Sequence, residues 1–167
     1  EVKRFSFAGE VYKELSEAFG VSVESLQDRS IKEKPVSWLT LSACKNPHFA
    51  PVAIEHISKW RSMDGLEPIT DTSHLSAREL LKCWGTQFRR DSEHGHQRYW
   101  IDKVQDLFDA HAEADCWVCS DCRLDNEHDM LKSRGALMIR VNASHLPEDD
   151  EEICRQGHES DTQWRKW

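Results

Sequence analysis

Apolar residues recur at helical spacing in several segments of the chain. The clearest segment is 76–84, where Ser76 and Glu79 form a capping-box pair ahead of apolar positions three and four residues apart. We expect Gly85 to interrupt this helix. The same spacing predicts helices over 8–19 and 99–111. One short helix is expected near 52–61, where the periodicity is weak, together with a short turn or helix over 22–26 and a brief strand at 2–7.

The segment 114–141 combines an apolar run, a polar turn, a helical stretch and a second apolar run. Residues 114–119 are mostly apolar or small, which predicts a strand buried on both faces. A helix is expected over 126–134 with Gly135 as its C-cap, and a second strand over 136–141. Strand, helix and strand at this length imply a right-handed crossover and a parallel sheet. The pattern therefore predicts an α/β fold.

Two charged residues follow the first of these strands. Asp121 and Arg123 stand where that strand would end. Ligands of open α/β sheets bind at the carboxyl ends of the strands. We therefore expect a functional site at this edge.

Length and charge narrow the class of protein. A chain of 167 residues predicts one domain, 1–167, with a sizeable core. The net charge of −8 argues against binding to a nucleic-acid backbone. No apolar run reaches the roughly 18 residues of a membrane span and no signal peptide is present, so no membrane partner is expected. Because the chain is long and charged for a disulfide-linked secreted domain, its six cysteines are interpreted as reduced thiols of a cytoplasmic protein. The chain opens on Glu1 rather than Met, which suggests truncation at one or both ends.

The cysteines allow two interpretations. Cys116, Cys119 and Cys122 have the spacing of zinc ligands. In an extended strand, however, residues three apart point to opposite faces, so we favour buried free thiols and no metal site. A zinc-stabilised domain stays open as the alternative. Its fourth ligand would come from further along the chain, from His128, His145, Cys154 or His158.

Four segments together resemble the deoxynucleoside monophosphate kinase family, known best from bacteriophages and a branch of the P-loop kinases. They are 4–8 with Lys13, 28–29 with 32–33, 76–90 with 99–100, and 120–127 with 135–141. The resemblance implies a parallel-sheet core flanked by helices, as in P-loop kinases. It also implies phosphoryl transfer from ATP, with Mg²⁺, to a deoxynucleoside monophosphate.

The resemblance implies roles for individual residues. Arg90, Asp121 and Arg123 are the expected catalytic residues, because arginines neutralise phosphate and an acid can bind sugar hydroxyls or support a metal. Arg89 and Arg90, after a small-residue turn, could both fork onto phosphate. Trp100 is expected near the base. The expected substrate-binding residues are Lys13, Arg29, Arg78, Gly85, Thr86, Trp100 and Glu127.

Each of these residues also has a structural interpretation. The two arginines at 89 and 90 could be solvated charges at a helix end, and Trp100 could be an ordinary core tryptophan. Asp121 and Arg123 could form a structural ion pair at the strand end. Lys13, Arg29 and Arg78 could be surface charges.

One departure from the family concerns ATP. Nothing in the chain matches the Gly-x-x-x-x-Gly-Lys-Ser/Thr loop that holds ATP phosphates, and neither Gly85 nor Gly95 is followed by lysine. The predicted fold is therefore a P-loop-kinase-like sheet that lacks its P-loop strand. Such a sheet exposes an edge to a second copy or a partner strand.

A non-catalytic role is the alternative function. The chain would then be a kinase-fold module that acts through protein–protein binding, for example a phage-encoded inhibitor of a host complex. Its acidic balance and surplus tryptophans, at Trp38, Trp60, Trp164 and Trp167, are compatible with a protein interface. If the gene encodes a Gly-Lys-Ser/Thr loop upstream of Glu1, the kinase is favoured over the non-catalytic module.

Overall fold

The structure is a computed structural model that describes residues 1–139. Its elements, in chain order, are β1 Val2–Phe5, α1 Phe7–Phe19, α2 Val23–Gln27, a 3₁₀ turn Leu41–Ala43, α3 Phe49–Met63, α4 Ala77–Lys82, a π-helical segment Cys83–Phe88, α5 Tyr99–Ala110, β2 Cys116–Cys119 and α6 Asp125–Ser133. They fall into two units. Within the described residues, the first holds 1–6 and 113–139, and the second holds 7–112. The predicted single domain stays a prediction.

The first unit contains a parallel pair of strands. β1 and β2 pair with Val2 opposite Cys116 and Phe5 opposite Cys119. Phe5 is buried and meets the Trp117 ring edge to face, with 6.0 Å between the centroids. Parallel pairing of strands so far apart in the chain, with helices between them, confirms the α/β prediction.

The prediction that residues 114–119 form a strand buried on both faces is wrong about burial. Cys116 and Val118 are exposed, and Trp117 and Cys119 are only half-buried. The apolar run suggested two covered faces, but within residues 1–139 this strand pairs only with β1. The expectation that Cys116 is a buried thiol is wrong for the same reason.

The helix expected over 126–134 is confirmed as α6. Gly135 follows it at φ +80°, the left-handed conformation that glycine adopts at low cost after a helix. The second strand expected over 136–141 is not formed at 136–139, which are irregular and carry an exposed Leu137. The remaining two positions lie outside the described residues, as do the acidic run 148–152 and the segment 154–167.

The second unit is helical. α1 packs against α2, α4, α5 and the π-helical segment, and α3 packs against that same segment. The rings of Phe49, Trp84 and Phe88 meet in the core, with centroids 4.7–5.4 Å apart. Other fully buried side chains complete this core, among them Leu15, Leu26, Leu39, Ile57, Leu75, Leu80, Ile101 and Val104. No helix within residues 1–139 is long and apolar enough to cross a membrane.

The capping box predicted for the helix at 76–84 is confirmed. Ser76 N donates to the Glu79 carboxylate at 2.8 Å, and Glu79 N donates to Ser76 Oγ at 3.2 Å. The expected interruption at Gly85 is wrong, because the helix continues through it to Phe88. Gly85 is buried against α1, where an added Cβ would meet the Val11 methyls at 3.6 Å.

The continuation has π-helical geometry. Arg89 N donates to the Trp84 carbonyl at 3.1 Å, and Asp91 N donates to the Thr86 carbonyl at 3.0 Å. Both bonds span five residues rather than the four of an α-helix. Such turns are rare in proteins, and many of those that are known lie at functional sites.

Candidate functional site

Asp121 lies at the carboxyl edge of the two strands. It follows β2, and Ser6 follows β1. Ser6 Oγ donates to Asp121 Oδ2 at 2.6 Å, and Cys119 Sγ donates to Oδ1 at 3.4 Å. Because parallel strands end at a common edge, these bonds hold the carboxylate where α/β sheets bind ligands. The geometry agrees with the position predicted for Asp121.

The two thiols near this carboxylate are held in their protonated form. Burial raises the pKa of Cys119 to about 12. Burial, followed by the charge of Glu127, raises the pKa of Cys122 to about 12. Neither thiol is an activated nucleophile at neutral pH. Within residues 1–139, no three His, Cys, Asp or Glu side chains are placed to hold a metal ion.

Arg123 is exposed and lies two residues before α6, and Glu127 is in the first turn of that helix. Glu127 Oε2 accepts from Arg123 N at 3.0 Å and from Leu124 N at 3.2 Å. The Glu127 residue is only 3% exposed. It therefore caps the helix N-terminus, where a negative charge is favourable, and it fixes the backbone at Arg123.

The second unit brings other predicted residues together around the π-helical segment. The Thr86 carbonyl accepts from Arg90 N at 2.8 Å. The Gly85 carbonyl accepts from Trp100 Nε1 at 2.8 Å, which ties the start of α5 to this turn. Trp100 is only 2% exposed, so its indole is part of the core. Four of the predicted residues thus belong to one hydrogen-bonded arrangement.

The remaining predicted cations are at the surface of the second unit. Lys13 Nζ pairs with Glu10 at 2.5 Å, and Arg78 pairs with Glu33 at 2.9 Å. Arg29 is exposed. Exposed ion pairs contribute roughly 0–1 kcal/mol, so a bound anion can displace such a partner at small cost.

An open cleft of about 480 Å³ includes Arg78 in its lining. Inside it, Arg61 Nε and Nη2 donate to the Glu79 carboxylate at 2.7 and 3.2 Å. Burial raises the pKa of Glu79, but the bonds from Arg61 and then Ser76 outweigh it and leave the pKa below its ordinary value. The other lining residues are Glu33, Pro35, Leu66, Glu67 and Ser76.

Glu14 is absent from the predicted site residues, yet four donors converge on its carboxylate. Its Oε2 accepts from Trp84 Nε1 at 3.1 Å and from Arg89 Nε at 2.8 Å. Its Oε1 accepts from the Tyr99 hydroxyl and lies 3.5 Å from Lys103 Nζ. Burial, followed by the bond to Glu14, raises the pKa of Tyr99. We call these five residues the Glu14 network.

A signal for Glu14 does exist in the sequence. It lies three residues after Val11 and four before Ala18, on the apolar face of α1. A charge on such a face is costly unless it is paired. An acid there indicates a buried partner without identifying it.

Arg89 has more partners than an arginine poised for phosphate would have. Besides bonding Glu14, its guanidinium lies 4.7 Å from the Tyr99 ring centroid and 4.8 Å from that of Phe88. Its Nη1 donates to the His94 carbonyl at 3.1 Å. The expectation that Arg89 and Arg90 both bind phosphate is therefore wrong for Arg89, because its charge is already neutralised.

Comparison with known proteins gives one finding about this chain. The sequence model of a family described as deoxynucleotide monophosphate kinase matches residues 3–163. The match covers the strand edge with Asp121 and the π-helical segment. No curated protein and no solved structure gives a significant match.

Proposed function

Because the chain belongs to the deoxynucleotide monophosphate kinase family, we propose that it binds a deoxynucleoside monophosphate as the acceptor for phosphoryl transfer from ATP. The observation that carries the proposal is the π-helical turn. It joins Thr86 to Arg90 through the backbone and receives the Trp100 bond at Gly85. A turn of this kind carries a hydroxyl, at Thr86, and a guanidinium, at Arg90, within a short length of chain.

Arg90 is the residue we assign to the substrate phosphate. A guanidinium presents paired N–H donors that match two phosphate oxygens, which makes it selective for this group over a neutral one. The Thr86 hydroxyl can add one further donor. Gly85, which has no side chain, lets the turn pack closely against Val11 of α1. Trp100 acts from within the core by fixing this turn.

In the first unit, Arg123 and Asp121 have complementary roles. Arg123 is exposed and can neutralise charge on a transferring phosphoryl group. Asp121, fixed by Ser6, can accept a hydrogen bond from a sugar hydroxyl. Glu127 contributes by holding the Arg123 backbone through its cap. Lys13, Arg29 and Arg78 supply surface charge that attracts an anionic substrate.

Residues 1–139, the part of the chain that the structure describes, do not fit a site for ATP and Mg²⁺. The sequence has no Gly-x-x-x-x-Gly-Lys-Ser/Thr loop, and Asp121 is a single carboxylate already bonded to Ser6 and Cys119. We therefore assign to this chain the monophosphate side of the reaction. The donor nucleotide would be bound by a different segment that carries such a loop.

Isothermal titration with each deoxynucleoside monophosphate tests the proposal. We expect binding that Arg90→Ala or Arg123→Ala weakens about tenfold or more. Arg98→Ala is the control, because Arg98 is an exposed arginine that pairs with the nearby Asp102 at 3.3 Å and has no assigned role at the site. Equal affinities in all three variants would contradict the assignment of the arginines.

The same titration decides between kinase and non-catalytic module. If the wild-type chain binds no monophosphate, the protein-binding alternative replaces the proposal. Trp38, which is 39% exposed, would then be the first interface residue to substitute. Tight binding of ATP with Mg²⁺ by this chain would contradict the assignment of the donor nucleotide to a different segment.

A further inference from the structure

Three of the donors to Glu14 are chain neighbours of Gly85, Arg90 and Trp100, the residues that form or fix the proposed monophosphate site. Glu14 itself follows Lys13. The three neighbouring pairs are Trp84 with Gly85, Arg89 with Arg90, and Tyr99 with Trp100. One carboxylate on α1 therefore fixes the backbone beside each of these positions on two other elements.

The Glu14 network has the features of a rigid tether. The side chains of Glu14 and Arg89 are only 15% and 18% exposed, so solvent screens their attraction weakly. Arg89 is also enclosed by the rings of Trp84 and Tyr99, with its guanidinium 5.3 and 4.7 Å from their centroids. Its rotamer is therefore restricted by packing as well as by charge.

The turn that bears Arg90 needs such a tether. A π-helical turn is less regular than an α-helix, and such turns persist where the surroundings support them. Arg90 N and Asp91 N share the Thr86 carbonyl as acceptor, at 2.8 and 3.0 Å. Because consecutive helical residues point about 100° apart, fixing Arg89 on Glu14 also fixes the direction in which Arg90 leaves the backbone.

We propose that Glu14 is a positioning residue of the monophosphate site and that it acts through Arg89, Trp84 and Tyr99. This inference rests on the proposed function for its ligand. Glu14 touches no substrate in this scheme. It determines the geometry of the turn at 85–90, so its loss weakens phosphate binding while leaving Arg90 in the chain.

A purely structural role is the competing explanation, and matched variants separate the two. Glu14→Gln removes the charge that holds Arg89. Glu17→Gln makes the same change at an exposed position on the same helix. Leu15→Ala lowers stability from the adjacent, fully buried position without altering the network. All variants are titrated with the monophosphate that binds wild type best, at a temperature at which each is folded.

The expected result is specific to Glu14. Its Gln variant binds the monophosphate about tenfold more weakly, as expected when a charge-assisted contact that orders the site is lost. Glu17→Gln and Leu15→Ala stay within about twofold of wild type. The inference is overturned if Glu14→Gln also stays within twofold, or if Leu15→Ala weakens binding as much.

Hydrogen exchange provides a readout that does not need a ligand. We expect the Arg90 and Asp91 amides to exchange about tenfold faster in Glu14→Gln than in wild type, while amides inside α3 keep their wild-type rates. Leu15→Ala is the comparison that shows the effect of a general loss of stability on the same amides. Unchanged exchange at 90 and 91 overturns the inference. If wild type binds no monophosphate, the proposed function fails, and hydrogen exchange alone then decides whether Glu14 orders the turn.

Discussion

Ser6 and Asp121 are joined by a hydrogen bond of 2.6 Å although 115 positions separate them in the chain. Each residue follows a strand of the parallel pair, Ser6 after β1 and Asp121 after β2. The bond therefore links the ends of the two strands at the carboxyl edge of the sheet. It holds in place the acid that the proposed function assigns to the substrate.

Removal of this bond should destabilise the fold. We expect Ser6→Ala to lower the free energy of unfolding by about 1–2 kcal/mol, because hydrogen bonds to charged groups are stronger than neutral ones. The same substitution in an Asp121→Ala background should cost about 1 kcal/mol less. Urea denaturation of the four proteins in this cycle measures the coupling. Additive effects would show that the bond contributes nothing.

Two glycines should respond oppositely to alanine. An added Cβ at Gly95 would lie 2.0 Å from the Arg89 carbonyl oxygen, so the turn must shift. At Gly85 the nearest atoms are Val11 methyls at 3.6 and 3.7 Å, an ordinary contact. We expect Gly95→Ala to cost about 1–3 kcal/mol and Gly85→Ala to be neutral or stabilising by up to about 1 kcal/mol. Thermal unfolding followed by circular dichroism compares them, and an equal loss in both would contradict the packing described.

Acid should weaken the Arg61–Glu79 pair. The pKa of Glu79 in the folded chain is below its ordinary value of 4.5, so the stability that the charged carboxylate gives the fold is complete above pH 4.5. It is lost as pH falls through the lower, folded pKa. Urea unfolding at neutral pH and below pH 4.5 should therefore show a smaller acid-induced loss of stability in Glu79→Gln than in wild type. Glu17→Gln is the control, and an identical acid response in Glu79→Gln and wild type would refute the pairing.

Thiol reagents should distinguish the cysteines of the described residues. Cys116 is exposed, whereas burial raises the pKa of Cys83 to about 12 and likewise that of Cys119 and Cys122. Because the thiolate is the reactive form, we expect iodoacetamide at neutral pH to modify Cys116 at least about a hundredfold faster than these three. Peptide mass spectrometry measures the order. Faster modification of Cys119 in a folded sample would contradict the burial described for it.

Local features of the fold could be predicted because their partners are close in the chain. The Ser76–Glu79 capping box spans three residues, and Gly135 ends α6 directly. Burial of β2 was wrongly predicted because it depends on which strands lie beside it. An apolar run such as 116–119 does not contain that information.

The candidate site could be predicted only in part. Asp121 was expected at the strand edge because the topology of parallel strands determines that position. Glu14 was missed because its donors Trp84, Arg89 and Tyr99 lie 70, 75 and 85 positions further along the chain. The roles of Arg90 and Arg123 stay predictions, since position alone does not establish a ligand.

The π-helical segment makes this region tolerant of the loss of one residue. Its bonds span five residues, from Arg89 N to the Trp84 carbonyl, so the turn contains one residue more than an α-helical turn would. Deletion of one residue between Trp84 and Arg89 would restore α-helical spacing with the same two bonding partners, so the residues after the deletion keep their direction. Arg89 would still face Glu14. In a lineage of such chains, one codon gained or lost here would change the shape of the turn while leaving the order of the two arginines around it unchanged.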